Sequence, residues 1–207
     1  MRIISGSAGG IQLFTPKSNA VRPAADRTRQ AIFSALGELI PEATVLDLFA
    51  GTGSIGLEAL SRGARQCVFV EKNKPSLALL QKNLDHTKVA GGEILAMDAI
   101  GALDRFVHLK REFDLIFADP PFWKERDVKH NLLSNPDQRK FTNELLKSAA
   151  LLSILKPKGL FILDSYDQEK VEVPKTWKVV RDQIYGQVRV QFLIKSEEAE
   201  KGEELKT

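Results

Sequence analysis

From Thr44 onward, short apolar runs alternate with amphipathic ones, and this alternation restricts the fold more than any other feature of the chain. Val45–Leu48, Val68–Val70 (ending at Glu71), Glu93–Ala96 (ending at Asp98), Leu115–Ala118 and Leu160–Leu163 read as strands. Between them, Ser54–Ser61, Pro75–Asn83, Ala99–Val107 and Asn143–Leu155 read as helices, the first stopped near Gly63 and the last by Pro157 and Gly159. Strands that alternate with helices build an α/β fold, a mostly parallel sheet covered on both faces. Two further strands, near Trp177–Ile184 and Val188–Ile194, flank Gly186. Their connection is too short for a parallel crossover, so they form an antiparallel C-terminal hairpin.

Ahead of this pattern, Ile3-Ile4 and Ile11–Phe14 surround Gly6, Gly9 and Gly10, which predicts a small N-terminal β-hairpin outside the main core, within residues 1–20. Arg22-Pro23 opens a helix whose apolar positions Ala31, Ile32, Ala35, Leu36 and Leu39 share one face. Residues 21–195 form one domain, and 196–207 a charged flexible tail. No apolar run reaches the ~18 residues a membrane span requires, and the glycine-rich start does not resemble a signal peptide, so the cytoplasm is expected. Cys67, the single cysteine, excludes an internal disulfide, and its apolar neighbours predict a buried strand position. His86, His108 and His130 lack ligand spacing, so no metal is expected. The net charge is +3, unevenly spread: residues 1–30 hold Arg2, Lys17, Arg22, Arg27 and Arg29 against Asp26 alone. Such an end suits a phosphate backbone, with Arg2, Arg22, Arg27 and Arg29 as the candidate contacts, although a solvated surface accounts for the charge equally well.

Asp47-Leu48-Phe49-Ala50-Gly51-Thr52-Gly53 is a glycine turn that follows the first strand of the alternating pattern. Gly51, Gly53 and Gly56 fit the pattern of dinucleotide-binding turns, with Glu71 placed 20 residues after Gly51 to take ribose hydroxyls. An acid at Asp47, however, would repel a pyrophosphate, and Phe49-Ala50 widens the turn. A ligand with an ammonium, a ribose and an adenine but no phosphate fits better, and S-adenosylmethionine is that ligand. In this reading Asp47 faces the methionine end, while Glu71 accepts from the ribose. Asp98 accepts from the adenine amine, and the backbone N–H of Ala99 meets a ring nitrogen. Asp98 has a competing role as the cap of the following helix.

Asp119-Pro120-Pro121-Phe122 follows the fourth strand. In a doubly wound sheet that position adjoins the end of the first strand, where ligands bind. An exocyclic base amine is a poor nucleophile because its lone pair is delocalised into the ring. The Asp119 carboxylate and the Pro120 carbonyl can each accept one N–H and aim that lone pair at a methyl group. Pro121 stiffens the turn, and Phe122 offers a face for stacking. The polar stretch 123–139 that follows is long enough to be functional.

Together these residues resemble the RsmD-type methyltransferases, which modify the N2 amine of a guanine in bacterial 16S rRNA. The resemblance runs through Arg2–Gly6, Gly10, Leu13, Arg22-Pro23, Asp26-Arg27, Arg29 and Phe33. It continues from Asp47 to Leu60, then through Arg62-Gly63-Ala64, Glu71, Asn83, Asp119–Phe122 and Tyr185-Gly186. It implies a Rossmann-like class I methyltransferase with a seven-stranded sheet, S-adenosyl-L-methionine as cofactor, and 16S rRNA, the small subunit or an assembly intermediate as partner. A monomer is expected. The turn Ser7-Ala8-Gly9 and Ile11-Gln12 carry no charge where the family usually has basic residues, and Ala24 replaces its usual threonine. Competing readings are an N6-adenine DNA or protein-glutamine methyltransferase, which generally has Asn where Asp119 stands, an NAD-dependent oxidoreductase, and a non-catalytic RNA-binding assembly protein.

Overall fold

The computed structural model describes residues 1–16, 23–121 and 141–197. In chain order the elements are α1 (Pro23–Leu36) with a short 3-10 turn Gly37–Leu39, β1 (Thr44–Asp47), α2 (Ser54–Ser61), β2 (Gln66–Glu71), α3 (Lys74–Thr87), β3 (Gly92–Ala96), α4 (Ala99–His108), β4 (Phe113–Ala118), α5 (Phe141–Leu146), α6 (Ala149–Ile154), β5 (Leu155–Tyr166), β6 (Trp177–Tyr185) and β7 (Val188–Lys195). Seven strands form one sheet in the order β3-β2-β1-β4-β5-β7-β6. The first five are parallel, and β7 lies antiparallel between β5 and β6.

Both faces of the central strands are apolar because both are covered. Val45, Cys67, Phe69, Leu115 and Phe117 face α1, α2 and α3, and pack on Ile32, Phe33, Leu57 and Leu80. Leu46, Val68, Val70 and Ile116 point the other way and meet Leu103 and Phe106 of α4 and Leu145 and Leu151 of α5 and α6. The chain moves outward from β1 to β3 and then returns to pair β4 with the free side of β1. The crevice at that reversal lies beyond the carboxyl ends of β1 and β4.

Two elements differ from the sequence reading. The helix expected over Asn143–Leu155 is two helices, because Ser148 accepts the Leu151 N–H at 3.2 Å and starts a second one. Next, β5 begins at Leu155, ahead of Pro157. Phe113 pairs with Leu155 and Leu115 with Leu160, so the extra residues of β5, Pro157 among them, bulge from the ladder that proline cannot join.

The N-terminal segment also departs from expectation. Its pairing is a single antiparallel bridge, Arg2 with Gln12, extended by hydrogen bonds such as Ile3 N–H to Ile11 O at 2.9 Å. It does not stand outside the core: Ile3, Ala8 and Leu13 are buried in the same cluster as α1, α2 and α3. Polar groups seat it there. Glu58 of α2, itself fully buried, accepts from Ile4 N (2.6 Å) and Ser5 N (3.1 Å). Ser61 donates to Ser5 O at 2.6 Å and accepts from Ala8 N at 2.9 Å. Gly6, at φ +85°, passes so close to α2 that a Cβ would lie 1.8 Å from the Ser61 carbonyl oxygen. The boundary expected at residue 20 and most of the tail expected over 196–207 lie outside the described residues.

Glu58 also accepts from Arg62 Nε at 2.7 Å and faces the buried Arg29 guanidinium at 3.8 Å. Replacing it by alanine leaves two backbone donors and a buried cation short of a partner. Glu58→Ala is therefore expected to lower stability by roughly 3–5 kcal/mol, measured as a fall in the denaturant midpoint with an unchanged slope.

Candidate active site

The glycine turn starts where β1 ends. Asp47 is buried, and its Oδ2 accepts the Gly56 N–H at 3.1 Å, which ties the strand end to the first turn of α2. The sequence reading gave this acid to a ligand alone; the structure adds that bond to the chain. Burial raises its pKa to about 7, and the nearby charges of Asp119 and Glu71 push the same way, against the N–H bonds from Gly56 and Phe49. Ala50 N bonds Val70 O at 3.0 Å, and Gly53 N closes a turn on Ala50 O at 2.7 Å. Gly51 has φ +55° and open space where a Cβ would stand, so a ligand can approach the backbone directly. Gly56 serves packing: a Cβ there would lie 2.2 Å from the Phe69 ring and 2.5 Å from Cys67 Sγ. Phe49 is half-buried and stacks edge-on with Phe141, ring centroids 5.2 Å apart. Cys67 is buried in β2, as its neighbours predict.

Glu71 ends β2 beside this turn. Its Oε2 accepts from Gly51 N at 2.9 Å and its Oε1 from Asn73 N at 2.7 Å. Each oxygen keeps a lone pair, so the carboxylate is oriented and can still accept a hydroxyl. Asp98 caps α4, accepting from Gly101 N at 3.0 Å, which is the competing role named for it. It is exposed, whereas Ala99 is buried behind it.

Asp119 and Pro120 leave the end of β4 next to β1, with Phe117 paired to Asp47. The Asp119 side chain reaches solvent, yet the protein around it raises its pKa to about 6 by desolvation. Pro120 is buried and Pro121 exposed; Phe122 and the stretch 123–139 lie outside the described residues. Asp164 of β5, which sequence reasoning passed over, belongs to the same group. Its carboxyl is raised well above the usual range by burial and then by the charges of Asp119 and Asp47. An acid within an apolar strand signals such a place, as it did at Asp47, but nothing local distinguishes the two roles. The crevice is thus lined with acids that hold their protons more tightly than usual and ionise more readily beside a cation, which suits a ligand carrying an ammonium, hydroxyls and amines better than one carrying phosphates.

The basic N-terminal residues divide. Arg2 and Arg27 are exposed, and Arg22 lies outside the described residues. Arg29 does not fit its expected role. Its guanidinium is 3% exposed, donates to the Arg2 carbonyl and, at 3.1 Å, to Asp26, and faces Glu58. A side chain so enclosed has no face for a phosphate; it holds α1 to the N-terminal segment. Sequence reasoning met Glu58 and Asn83 only within the family pattern and gave neither a role. Asn83 is fully buried; its Oδ1 accepts from Phe14 N (2.7 Å), and its Nδ2 donates to Phe14 O (3.1 Å) and Thr52 O (2.8 Å). Both side chains are hydrogen-bonded far along the chain, which local pattern does not record. Among the described residues no His, Cys, Asp or Glu group has the arrangement of a metal site, and His86 and His108 are exposed.

A family model described as "Conserved hypothetical protein 95" matches residues 1–194. The ribosomal RNA small subunit methyltransferase D of Escherichia coli (strain K12) is 30% identical over 91% of this chain and 86% of its own length. The chain belongs to the RsmD family. A hypothetical protein of Thermus thermophilus has the same structure at a TM-score of 0.73, with 27% identity over 95% of this chain and 99% of that one. The fold recurs in SMU.776, solved in complex with SAH, at a TM-score of 0.61 and 18% identity, covering 84% of this chain and 50% of that one.

In this RsmD-family crevice the raised acids give stability a definite pH dependence. The folded chain holds protons on Asp47, Asp119 and Asp164 at pH values where an unfolded chain, with its carboxyls near 3.8, has lost them. Stability of the ligand-free protein therefore falls as pH rises from 3.8 toward 7. Asp114 and Asp182, with lowered pKa values, act oppositely, but only as pH falls below that window. Thermal unfolding is expected at a higher temperature at about pH 5 than at about pH 7.5, and Asp47→Asn should reduce that difference.

Proposed function

We propose that this protein transfers a methyl group from S-adenosyl-L-methionine to the exocyclic N2 amine of a guanine in 16S rRNA, presented as free RNA, small subunit or assembly intermediate. The observation that carries the reading is Asp119 with Pro120 at the end of β4, directly beside the Asp47 glycine turn. The relative named as a small subunit methyltransferase, with which this chain shares nearly its full length, supports the RNA class. The relative solved with SAH supports the cofactor. We read the chain through residue 195, its buried N-terminal segment included, as one catalytic domain that acts as a monomer in the cytoplasm. No described helix is long and apolar enough to cross a membrane.

The residues fit the cofactor. The open space over Gly51 leaves room for it, Asp47 supplies a negative charge for its ammonium, and Glu71 has acceptors left for its ribose. When bound, S-adenosylmethionine supplies a methyl group on a sulfonium, whose bonding pair stays with sulfur as the methyl leaves. The chain's part is placement. Asp119 and the Pro120 carbonyl each accept one N–H of the guanine amine, which holds the nitrogen pyramidal and its lone pair aimed into the crevice. The prolines add no competing N–H donor. After transfer the methylated nitrogen gives up one proton, to Asp119 or to water.

Methylation of small-subunit RNA with labelled cofactor, followed by nucleoside analysis, should yield label on guanine N2. Label on adenine N6, or no transfer to RNA, would sink the reading. Asp119→Ala should keep the fold and S-adenosylhomocysteine binding while single-turnover transfer drops by orders of magnitude. Asp119→Asn, which keeps one acceptor, should retain part of the rate. Glu71→Ala should weaken S-adenosylhomocysteine binding by roughly 1.5–3 kcal/mol in calorimetry.

A further inference from the structure

Along α3, Lys74, Ala78, Lys82 and His86 recur every fourth residue, and all four are exposed. That spacing follows one ridge of a helix. The ridge begins three residues after Glu71 and spans about 18 Å at 1.5 Å per residue. Lys74 stands in the first turn, where the helix dipole disfavours a cation, so local helix preference does not account for it. Phe14 of the N-terminal segment lies against the lower half. Lys82 Nζ sits 3.7 Å from its ring centroid, and the His86 ring is 5.1 Å away, tilted by 56°.

Phe14 is half-buried and firmly held. The buried amide of Asn83 grips its backbone N–H and carbonyl and with the same group holds Thr52 O in the glycine turn. The aromatic corner is therefore one side chain away from the proposed cofactor turn. The acid on this part of the helix, Asp85, accepts from Gln81 at 2.9 Å. The crevice is lined by the acids Asp47, Glu71, Asp119 and Asp164 and Arg29 is enclosed, so an RNA strand entering the site needs cations on the flanks.

We propose that the ridge Lys74–Lys82–His86, together with Phe14, is a binding track for single-stranded RNA flanking the target nucleotide. It rests on the reading of the protein as an RNA methyltransferase. Lys74 and Lys82 meet phosphates, and the rings of Phe14 and His86 stack on bases, a pairing that tolerates any sequence. The contact of Lys82 with Phe14 is an exposed cation–π attraction, which an arriving phosphate outcompetes.

The test is binding of a small-subunit RNA fragment to the full chain at several salt concentrations, with calorimetry of S-adenosylhomocysteine alongside. A Lys74→Gln/Lys82→Gln double variant, altered only at exposed positions, should bind RNA at least tenfold more weakly and reduce the salt slope by about 1.4, the value for two phosphate contacts to a single strand. Phe14→Leu, which keeps apolar bulk but removes the ring, should lose about tenfold in affinity with the slope unchanged. Cofactor-product affinity should stay the same in both. RNA affinity and slope equal to wild type in the folded double variant would overturn the track. If wild type methylates guanine while the variants bind RNA normally, the track fails and the activity stands. If wild type binds RNA through this ridge but labels no guanine, the activity fails and the track stands.

Discussion

Asp47 ends the central strand with its carboxylate out of bulk water, held by backbone N–H groups and with Asp119 and Glu71 nearby. That arrangement costs stability in the empty protein, since burial and like charge both resist ionisation. The surroundings are built to keep the acid in place regardless. Gly56 lets α2 approach the sheet until its N–H reaches the carboxylate, and a Cβ there would collide with Phe69 and Cys67. Glu71 fixes Gly51 from the other side. The turn's shape and the acid's position are one structure, maintained by close helix–sheet packing.

The start of the chain belongs to the same construction. Glu58 faces the N-terminal segment from α2, just past Gly56, whose N–H holds Asp47. Arg29 links that segment to α1, and Asn83 links its far end to the glycine turn. These are buried polar contacts with nearly all capacity used, which rigidify what they join. What reads as an appendage in sequence is thus a wall of the domain, fixed against the two helices that flank β2.

The parallel core was legible because strands buried on both faces and glycine-marked turns write themselves into local sequence; Ser54–Ser61 matches the helix to the residue. The antiparallel end was legible from the brevity of its connection, two residues between Tyr185 and Val188. The site acids stood out as polar residues against apolar strands, Asp47 within one and Glu71 and Asp119 at the ends of two others. What escaped was non-local. Arg29 looks like any arginine in a basic segment until Glu58 and the Arg2 carbonyl enclose it. Ser148 breaks a helix whose apolar spacing continues past it. Asp164 lies beside Asp119 through the pairing of β4 with β5, but it meets Asp47 only because β4 pairs with β1, an adjacency that sequence order does not show.

Electrostatics then divides the labour across the surface. Four acids, Asp47, Glu71, Asp119 and Asp164, sit at or near the carboxyl ends of β1, β2, β4 and β5. Such a lining favours an ammonium and amine donors and offers a phosphate no cation. An RNA substrate therefore has to send a base into the crevice and leave its backbone outside, which is the geometry required for any enzyme that works on a base edge. The cations that meet the backbone cannot stand among those acids without pairing with them and neutralising the site. They belong on the flanks, on elements whose orientation is fixed to the turn. The exposed face of α3, coupled to Thr52 through one buried amide, meets that requirement, whereas the enclosed guanidinium of Arg29 does not.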